Sequence, residues 1–269
     1  MGTKNKLPLT SNNYYSLKAD NQYMSVSQLK NWIECEAATK AYLKGEITKE
    51  PTGAMLVGSY THAAFEGDKV FNQFIEENNG VIFKKNGGKY ADYEQADLMI
   101  ESLKNDPFAS FAMSGEKEQI VTANLLGIDW KCKIDNVNHQ HQFFSDLKTT
   151  QDLYKRYWSE KYDGWVSFIE RWDYVLQMAI YRKLIEQNTG QLYTPYIVAV
   201  TKEKTPNKAV VHFEESRFDF EYEWAEMKLE RVMEVKNGNA DPVACGKCDY
   251  CRSVKELNGT IEVGALIYE

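Results

Sequence analysis

The feature that most constrains the fold is a pair of strand-like segments between residues 117 and 150. In GIDWKCKID, apolar and charged side chains alternate from Ile128 to Asp135, and a period of two residues is typical of a β-strand. A polar turn at 138–142 leads into a second such segment, HQFFSDLKTT. There Asp146 and Lys148 lie two residues apart, so they share one face of the strand. The sequence therefore predicts a β-hairpin that carries charged side chains.

Helical periodicity on both sides of this hairpin predicts an α/β fold. The first helix begins with Ser25 and Gln28 in the order of a capping box. The fourth and longest helix is predicted to bury an apolar stripe that includes Trp165 and Trp172. Two short apolar runs indicate further strands. The predicted helices are 24–46, 54–77, 94–113, 163–189 and 219–237, and the further strands are YIVAVTKE (196–203) and AVVHFEE (209–215).

The domain organisation follows from length and composition. The chain has 269 residues, of which 43% are hydrophobic, enough to form a sizeable core. The sequence shows no internal repeat, low-complexity tract or linker. We therefore predict an irregular N-terminal arm at 1–22 and a single domain at 23–269, which ends in a cysteine cluster at 245–251.

Charge and hydropathy restrict the environment. The polar N-terminus lacks the apolar region of a signal peptide, and no apolar run approaches the ~20 residues that span a bilayer. We therefore expect a cytoplasmic protein with no membrane partner. The net charge of −7 argues against a generally basic coat for nucleic acid. It is compatible with acidic residues gathered around a divalent cation.

The hairpin acids are candidate metal ligands. Asp135 and Asp146 lie on neighbouring strands, so their carboxylates can converge on one Mg²⁺ or Mn²⁺ ion, and such hard cations prefer oxygen ligands. Lys148 can then stabilise charge during displacement at a phosphodiester. An isolated Asp-x-Lys is explained equally well by a solvent-facing strand, so this interpretation depends on other motifs.

Two helical motifs accompany the hairpin. His62 follows Gly58 by four residues and Glu66 follows His62 by four, which places all three on one helical face. Gln177 and Tyr181 have the same spacing in the predicted long helix. Alone, the first set is explained as an ordinary helix surface and the second as a structural pair at the edge of the core.

The order of these motifs resembles the PD-(D/E)xK nuclease superfamily, in particular its RecB-like and phage exonuclease branch of the RecE and lambda-exonuclease type. That family carries Gly-x-x-x-His on a helix, Asp on a strand, Asp/Glu-x-Lys-Thr on the next strand and Gln-x-x-x-Tyr on a later helix. The chain has all four in this order across 58–181, although Asp135 follows Ile134 rather than Pro. The resemblance implies a restriction-endonuclease-like core with helices flanking a central mixed β-sheet.

The resemblance also implies a role for each motif residue. Carboxylates, a backbone carbonyl and an imidazole would hold the cation, and Lys148 would position the attacking water or the phosphate. The amide and the phenol of the later helix would contact DNA or orient that lysine. The implied metal ligands are His62, Asp135, Asp146 and the Leu147 carbonyl; the implied DNA-side residues are Gln177 and Tyr181; Glu66 is a weaker candidate ligand and Glu118 a weaker one still.

The implied activity is that of a Mg²⁺-dependent exonuclease in phage or prophage recombination. Such enzymes degrade linear duplex DNA from its ends, typically 5′ to 3′, and pass the remaining strand to a single-strand annealing protein. They often form rings, so a homo-oligomer is expected. Two alternatives stay open: an endonuclease or RecB-like nuclease module, and a non-catalytic DNA-binding or iron–sulfur protein that retains the fold. The intact set of Asp135, Asp146 and Lys148 favours an enzyme.

The cysteines predict a second metal site. Cys245, Cys248 and Cys251 form a C-x2-C-x2-C run, and three such thiolates need a fourth ligand from elsewhere. Cys35 lies in a segment that resembles the N-terminal helix of AddB and of the CRISPR-associated four-cysteine nucleases. The resemblance implies a [4Fe–4S] cluster on these four residues, although the late spacing is shorter here than in those relatives. Zn²⁺ on the same thiolates is the alternative, and Cys132 is predicted to be a small core residue.

Two loops combine cationic with glycine or aromatic residues. KKNGGKY (84–90) and KRYWSEKY (155–162) can contact phosphates and stack on unpaired bases. An ordinary solvated loop explains each of them at least as well. The second directly follows the Asp-Leu-Lys-Thr strand, which favours a functional interpretation there.

Overall fold

The computed structural model describes residues 6–48 and 50–266. In this part of the chain the helices are α1 (Leu17–Gln22), α2 (Val26–Glu34), α3 (Glu36–Leu43), α4 (Gly53–Glu66), α5 (Asp68–Glu77), α6 (Asn79–Ile82), α7 (Ala91–Lys104), α8 (Pro107–Ala112), α9 (Phe168–Arg171), α10 (Tyr174–Thr189), α11 (Glu215–Asn237) and α12 (Asp249–Ser253). The strands are β1 (Glu116–Leu125), β2 (Ile128–Asn138), β3 (Phe143–Thr150), β4 (Tyr157–Ser159), β5 (Gly164–Val166), β6 (Thr194–Thr201) and β7 (Lys208–Val211), and a 3-10 turn spans Val263–Leu266.

Five strands form a mixed sheet in the order β1-β2-β3-β6-β7. Only β3 and β6 are parallel, with Asp146 opposite Ile197, and the other neighbours are antiparallel. The crossover between the parallel strands contains α10, as a parallel connection requires. Strands β4 and β5 form a separate two-stranded ribbon within this crossover. The predicted fold class, a central mixed sheet flanked by helices, is confirmed.

The core has two layers, one on each face of the sheet, and alternate side chains of β6 belong to each layer. Ile197 and Ala199 pack with α2, α10 and α11, whereas Val198 and Val200 pack with α4, α7 and α8. This alternation is the period-two pattern of a strand buried on both faces. Cys132 is fully buried in the first layer, as predicted. Among the described residues, none of the helices combines the length and apolar composition that crossing a membrane requires.

Several predicted helices are interrupted. The helix predicted at 24–46 breaks at Cys35, whose extended backbone ends α2 and caps α3. The helix predicted at 54–77 breaks at Gly67, where φ is +136°. Ser25 accepts a hydrogen bond from the N–H of Gln28, but the Gln28 side chain donates to the Asp20 carbonyl, so only half of the capping box forms.

The prediction of one long helix at 163–189 is wrong. Residues 164–166 form β5, Ser167 and Glu170 cap α9 with a complete capping box, and Asp173 adopts a left-handed conformation that separates α9 from α10. Trp165 and Trp172 are therefore 65% and 47% exposed instead of lying in an apolar stripe. The local caps outweigh the helical spacing of the apolar residues.

Residues 6–22 of the predicted arm are more ordered than expected, and residues 1–5 of that arm lie outside the described part of the chain. Residues 17–22 form α1, which Ser16 caps, so the prediction of an irregular arm is wrong there. Lys131, on β2, is almost fully buried because its ammonium lies 2.7 Å from the Asp20 carboxylate and contacts the Tyr14 carbonyl. The arm thus packs against the sheet.

Candidate active site

The candidate site lies where β2 and β3 separate. Their ladder ends at Asn136 opposite Ser145, and the next pair across would be Asp135 and Asp146. At this point the N–H of Leu147 donates to Asp135 Oδ2 at 2.8 Å, in place of a ladder carbonyl. The N–H and C=O of an extended residue point to the same side of its strand. The Leu147 carbonyl is therefore directed toward the same gap as the Asp135 carboxylate.

Asp146 is held by one cation and one amide. Its Oδ2 lies 2.5 Å from Lys148 Nζ, and its Oδ1 accepts a hydrogen bond from Gln177 Nε2 on α10. Asp146 is 3% exposed, and its buried Oδ2 accepts no hydrogen bond of good geometry despite the ion pair. The predicted pairing of Asp146 with Lys148 on one face is thus present, and Gln177 contacts the carboxylate rather than the lysine.

Tyr174 was not singled out from the sequence. Its ring lies 4.5 Å from Lys148 Nζ and 5.5 Å from Lys30 Nζ, both distances measured to the ring centroid. Such cation–π contacts fix the position of an ammonium without neutralising it. The available signal was spacing, because Tyr174 precedes Gln177 by three residues on the same helix and so shares its face.

Helix α4 brings His62 to the other carboxylate. His62 Nδ1 lies 3.1 Å from Asp135 Oδ2, the oxygen that also accepts the Leu147 N–H. One turn earlier Gly58 faces β3, where an added Cβ would lie 3.9 Å from Thr149 Oγ1. A methyl group therefore fits at Gly58, whereas a larger side chain would meet the strand that carries Asp146 and Lys148.

A small pocket beside this point collects further acidic residues. It is lined by Glu66, Glu118, Asp135 and His62 among others. Glu118 has a positive φ of 53° on β1, and its carboxylate pairs with Lys133. The structure thus brings both weaker candidates, Glu66 and Glu118, to the site.

Electrostatic interactions distinguish the two aspartates. Burial would raise the pKa of Asp135, but the charge and hydrogen bond of His62, the charge of Lys148 and the Leu147 N–H outweigh burial and lower it to about 2. Burial raises the pKa of Asp146, and the negative charge of Asp135 raises it further, while Lys148 opposes both. Two carboxylates close enough to influence each other in this way favour a bound cation.

The donor set fits a hard divalent cation. Carboxylate and carbonyl oxygens are the ligands that Mg²⁺ and Mn²⁺ prefer. Asp135, Asp146 and the Leu147 carbonyl supply them, and the buried Asp146 Oδ2 retains capacity for a ligand bond. His62, Glu66 and Glu118 stand beside these oxygens.

Tyr181 lies in a different environment from the other motif residues. Its ring packs against the core layer of α2, α10 and α11. Burial raises the pKa of its phenol well above the usual value, and the charges of Asp146 and Asp135 add to this effect. Its role in contacting DNA or orienting Lys148 stays a prediction.

The four predicted cysteine ligands converge. The sulfurs of Cys35, Cys245, Cys248 and Cys251 all lie within 4.8 Å of one another. Cys35 Sγ is 3.5 Å from Cys251 Sγ, which is 3.9 Å from Cys245 Sγ. The break between α2 and α3 turns Cys35 toward the C-terminal cysteines, so one cluster joins distant parts of the chain.

Backbone N–H groups point at these sulfurs. Cys245 Sγ accepts from the N–H groups of Lys247 and Cys248 at 3.4 and 3.3 Å, and these bonds lower the pKa of its thiol to about 6. Cys35 and Cys248 cap the N-termini of α3 and α12 through their sulfurs. Such donors favour the thiolate of Cys245, the form that binds metal, whereas burial and the neighbouring thiols raise the pKa of Cys35 and of Cys248.

The two candidate nucleic-acid loops differ. In the first loop Lys89 is used internally, since its ammonium lies 2.5 Å from Asp97 Oδ2 and 2.8 Å from the Tyr60 hydroxyl. The second loop contains β4, one strand of the β4–β5 ribbon, and presents Trp158 to solvent. Both loops keep an exposed aromatic ring: Tyr90 in the first is 47% exposed, with Lys84 Nζ 5.9 Å from its ring centroid, and Trp158 in the second is 52% exposed.

Comparison with known proteins agrees with this geometry. A family model described as a PDDEXK-like domain of unknown function (DUF3799) matches residues 25–254. The chain is also similar to the crystal structure of a protein from Eubacterium rectale described as a "putative exonuclease", with 32% sequence identity, a TM-score of 0.91 and coverage of 97% of this chain and 98% of that one. No curated protein matches the chain. The predicted superfamily is confirmed and the fold supports a nuclease: the chain belongs to the PDDEXK-like DUF3799 family, within the PD-(D/E)xK nucleases.

Proposed function

We propose that the protein is a metal-dependent deoxyribonuclease that degrades linear duplex DNA from its ends. The observation that carries this proposal is the contact between Lys148 Nζ and Asp146 Oδ2 at 2.5 Å, next to Asp135 at the separation of two strands. This arrangement combines oxygen ligands for a divalent cation with a fixed ammonium. Both are needed to stabilise charge on a phosphate during hydrolysis.

Each residue of the site has a separate task. When bound, Mg²⁺ or Mn²⁺ supplies Lewis-acid stabilisation of the phosphate oxygens. Burial would lower the pKa of Lys148, but the charges of Asp146, Tyr174 and Asp135 outweigh burial and raise the pKa above its usual value. The lysine therefore stays protonated and donates to the phosphate or to the attacking water. Gln177 orients Asp146, and His62 orients Asp135.

The preference for DNA ends rests on the relative from Eubacterium rectale, which is described as a "putative exonuclease". A role in phage or prophage recombination, with a single-strand annealing protein as partner and a homo-oligomeric enzyme, belongs to the same proposal. An endonuclease or RecB-like nuclease module would use the same site residues on different DNA.

The first experiment tests the chemistry. Asp146→Asn and Lys148→Met should each abolish Mg²⁺-dependent loss of linear duplex DNA while circular dichroism and melting temperature show a folded protein. A matched control is the surface pair of Lys183 and Glu186, 2.9 Å apart on the same helix as Gln177. Lys183→Met should cleave like the parent. Full activity in folded Asp146→Asn and Lys148→Met would reject the site.

The second experiment tests the substrate. Linear duplex, closed circular duplex and single strands are incubated with the parent protein and Mg²⁺. Loss of linear duplex alone supports the exonuclease, and nicking of circles supports the endonuclease. A protein that binds DNA but cleaves none of these substrates, with Mn²⁺ as well as Mg²⁺, contradicts both.

We also propose that the cysteine site holds one tetrahedral ion of the zinc class. Four thiolates around a single Zn²⁺ at ~2.3 Å are spaced ~3.8 Å apart, close to the 3.5 and 3.9 Å between sulfurs here. A four-iron cluster needs wider spacing, because each thiolate binds a different iron at a corner of the cube. The sulfur geometry therefore favours the zinc alternative over the iron–sulfur cluster that the resemblance implies.

Metal analysis of anaerobically purified protein tests this proposal. The expected result is a colourless protein with one zinc, which Cys248→Ser loses and Cys132→Ala retains. Cys132 is the control because it is buried in the core away from the cluster. A brown protein that contains about four irons would overturn the proposal and restore the iron–sulfur cluster.

A further inference from the structure

The β4–β5 ribbon has one buried and one exposed face. Ser159 and Val166 lie on the buried face, at 7% and 8% exposure. Trp158 and Trp165 stand directly opposite each other on the outer face, 52% and 65% exposed, with their rings 5.9 Å apart and nearly perpendicular. Adjacent exposed aromatic side chains of this kind are typical of a surface that binds a partner.

Cations accompany these rings. The Arg156 guanidinium lies 5.9 Å from the centroid of Trp165, and Lys155 Nζ lies 5.4 Å from that of Tyr157. Arg171 lies 5.2 Å from Trp172, which is itself 47% exposed. Aromatic faces flanked by lysine and arginine are the arrangement that single-stranded nucleic acids bind, through base stacking and phosphate contacts.

The ribbon is connected to the candidate active site by direct contacts. The Tyr157 ring lies 6.2 Å from that of Trp172, and Lys30 donates to the Trp172 carbonyl. Lys30 also lies over Tyr174, the ring that contacts Lys148. These contacts start from Tyr157, which pairs with Val166 on the buried face, and they place the ribbon beside the residues proposed to hydrolyse DNA.

Charge is distributed unevenly along the ribbon. Lys155 and Arg156 stand at its base, near the end of β3, whereas Glu160 and Asp163 stand at its tip. Lys161, also at the tip, is turned inward and pairs with Asp173 and Glu221 at 2.9 and 2.5 Å. Phosphates are thus favoured at the base alone, and stacking must supply the affinity along the outer face.

We propose that the outer face of the β4–β5 ribbon binds unpaired bases of single-stranded DNA next to the active site. This inference rests on the proposed nuclease function and adds a substrate feature to it, namely a single-stranded segment at the DNA end. Trp158 and Trp165 provide the stacking surfaces, and Lys155 and Arg156 contact the backbone. The duplex itself is not bound by this face.

The experiment measures binding separately from cleavage. Fluorescence anisotropy is recorded with labelled duplex DNA that carries an oligothymidine tail, and with the blunt duplex, using full-length protein in the Asp146→Asn background. The double variant Trp158→Ala/Trp165→Ala should bind the tailed duplex at least about tenfold more weakly, because stacking on one base corresponds to a factor of about 5 to 150. Affinity for the blunt duplex should change little.

Two controls define the result. Trp158→Phe/Trp165→Phe keeps flat aromatic faces and should retain most of the preference for the tail. Phe108→Ala removes another exposed ring, 62% exposed on α8, and should bind like the parent. If the double alanine variant has a lowered melting temperature, the two single alanine variants replace it.

The outcomes separate this inference from the proposed function. Unchanged affinity of the alanine variants for the tailed duplex overturns the stacking surface even if the parent cleaves DNA. An equal loss for tailed and blunt duplex also overturns it, since that result indicates general duplex binding. A loss of affinity for the tailed duplex alone supports a stacking surface on the ribbon. Cleavage by the unmodified protein tests the proposed nuclease function independently.

Discussion

At the scale of single residues, the site depends on donors that orient carboxylates. Gln177 shows this most clearly, because its amide donates to Asp146 Oδ1 while Lys148 occupies the other oxygen. The resemblance implied DNA or Lys148 as the partner of Gln177, whereas in the structure the amide contacts Asp146. Hydrogen bonds that a metal ligand accepts from neighbouring residues tune both the geometry of the ligand and the metal affinity.

We therefore predict that Gln177→Leu weakens the metal site. Loss of the amide should reduce metal affinity or activity by about 10- to 100-fold, which titration of cleavage against Mn²⁺ concentration would measure. The matched control is Gln73→Leu, since Gln73 also donates to a carboxylate, that of Glu77, but on the exposed surface of α5. A Gln177→Leu variant with the metal dependence of the parent would contradict the orienting role.

At the scale of elements, the site depends on how closely α4 approaches β3. A Cβ added at Gly58 would already be in van der Waals contact with Thr149 Oγ1, at 3.9 Å, so a longer side chain would meet β3. The same helix carries His62 to Asp135, so its distance from the strand sets the contact between them. In the Gly-x-x-x-His motif the glycine thus permits close packing of α4 on β3, and the histidine contacts the Asp135 carboxylate.

Substitutions of Gly58 should separate these effects. Gly58→Ala fits the space and should stabilise the protein by up to about 1 kcal/mol, because alanine favours a helix interior. Gly58→Leu should displace α4, with a destabilisation of about 1–3 kcal/mol and a loss of activity of up to about 100-fold. Urea unfolding and cleavage rates would measure the two quantities. Equal activity of both variants would show that α4 can shift without disturbing His62.

At the scale of the whole molecule, the C-terminal segment is fastened to the beginning of α3. Arg231 forms two hydrogen bonds to the Glu36 carboxylate, at 3.0 and 2.8 Å, and the N–H of Val243 donates to the same carboxylate at 2.8 Å. Glu36 follows Cys35, and Val243 precedes Cys245 by two residues. This ion pair therefore aligns the two parts of the chain that form the cysteine cluster.

The ion pair predicts a pH-dependent contribution to stability. Burial would raise the pKa of Glu36, but Arg231 and the Val243 N–H outweigh it and lower the pKa below its usual 4.5. A carboxyl with a lowered pKa in the folded state stabilises the protein above its unfolded pKa, and this contribution is lost as the pH falls through the folded value.

Glu36→Gln should therefore lower the free energy of unfolding by about 1 kcal/mol at pH 7, and the difference from the parent should shrink as the pH falls below 4.5. Chemical denaturation across this range would measure it. Glu186→Gln, which removes an exposed pair, should have little effect at any pH. A difference that stays constant down to low pH would show that the Glu36 charge is not responsible.

The sequence by itself predicted β2, β3, β6 and β7 of the main sheet and most of the residues that meet at the candidate site. Period-two alternation located the β2–β3 hairpin, and the motif order identified Asp135, Asp146, Lys148, His62 and Gln177, because these signals are local or come in a fixed order. Local spacing failed at 163–189, where Ser167 and Asp173 impose ends that apolar periodicity does not reveal.

Only the tertiary structure decided which side chains meet. Tyr174 contacts Lys148, the weaker candidate Glu118 does line the acidic pocket, and Cys35, expected to join the C-terminal cysteines, lies 3.5 Å from Cys251. Each of these contacts needs a break between two helices, a residue in the left-handed conformation or the close packing of a helix on the sheet, because the elements involved are distant in sequence. Their geometry depends on packing against the shared sheet, and a one-dimensional pattern contains no measure of that packing.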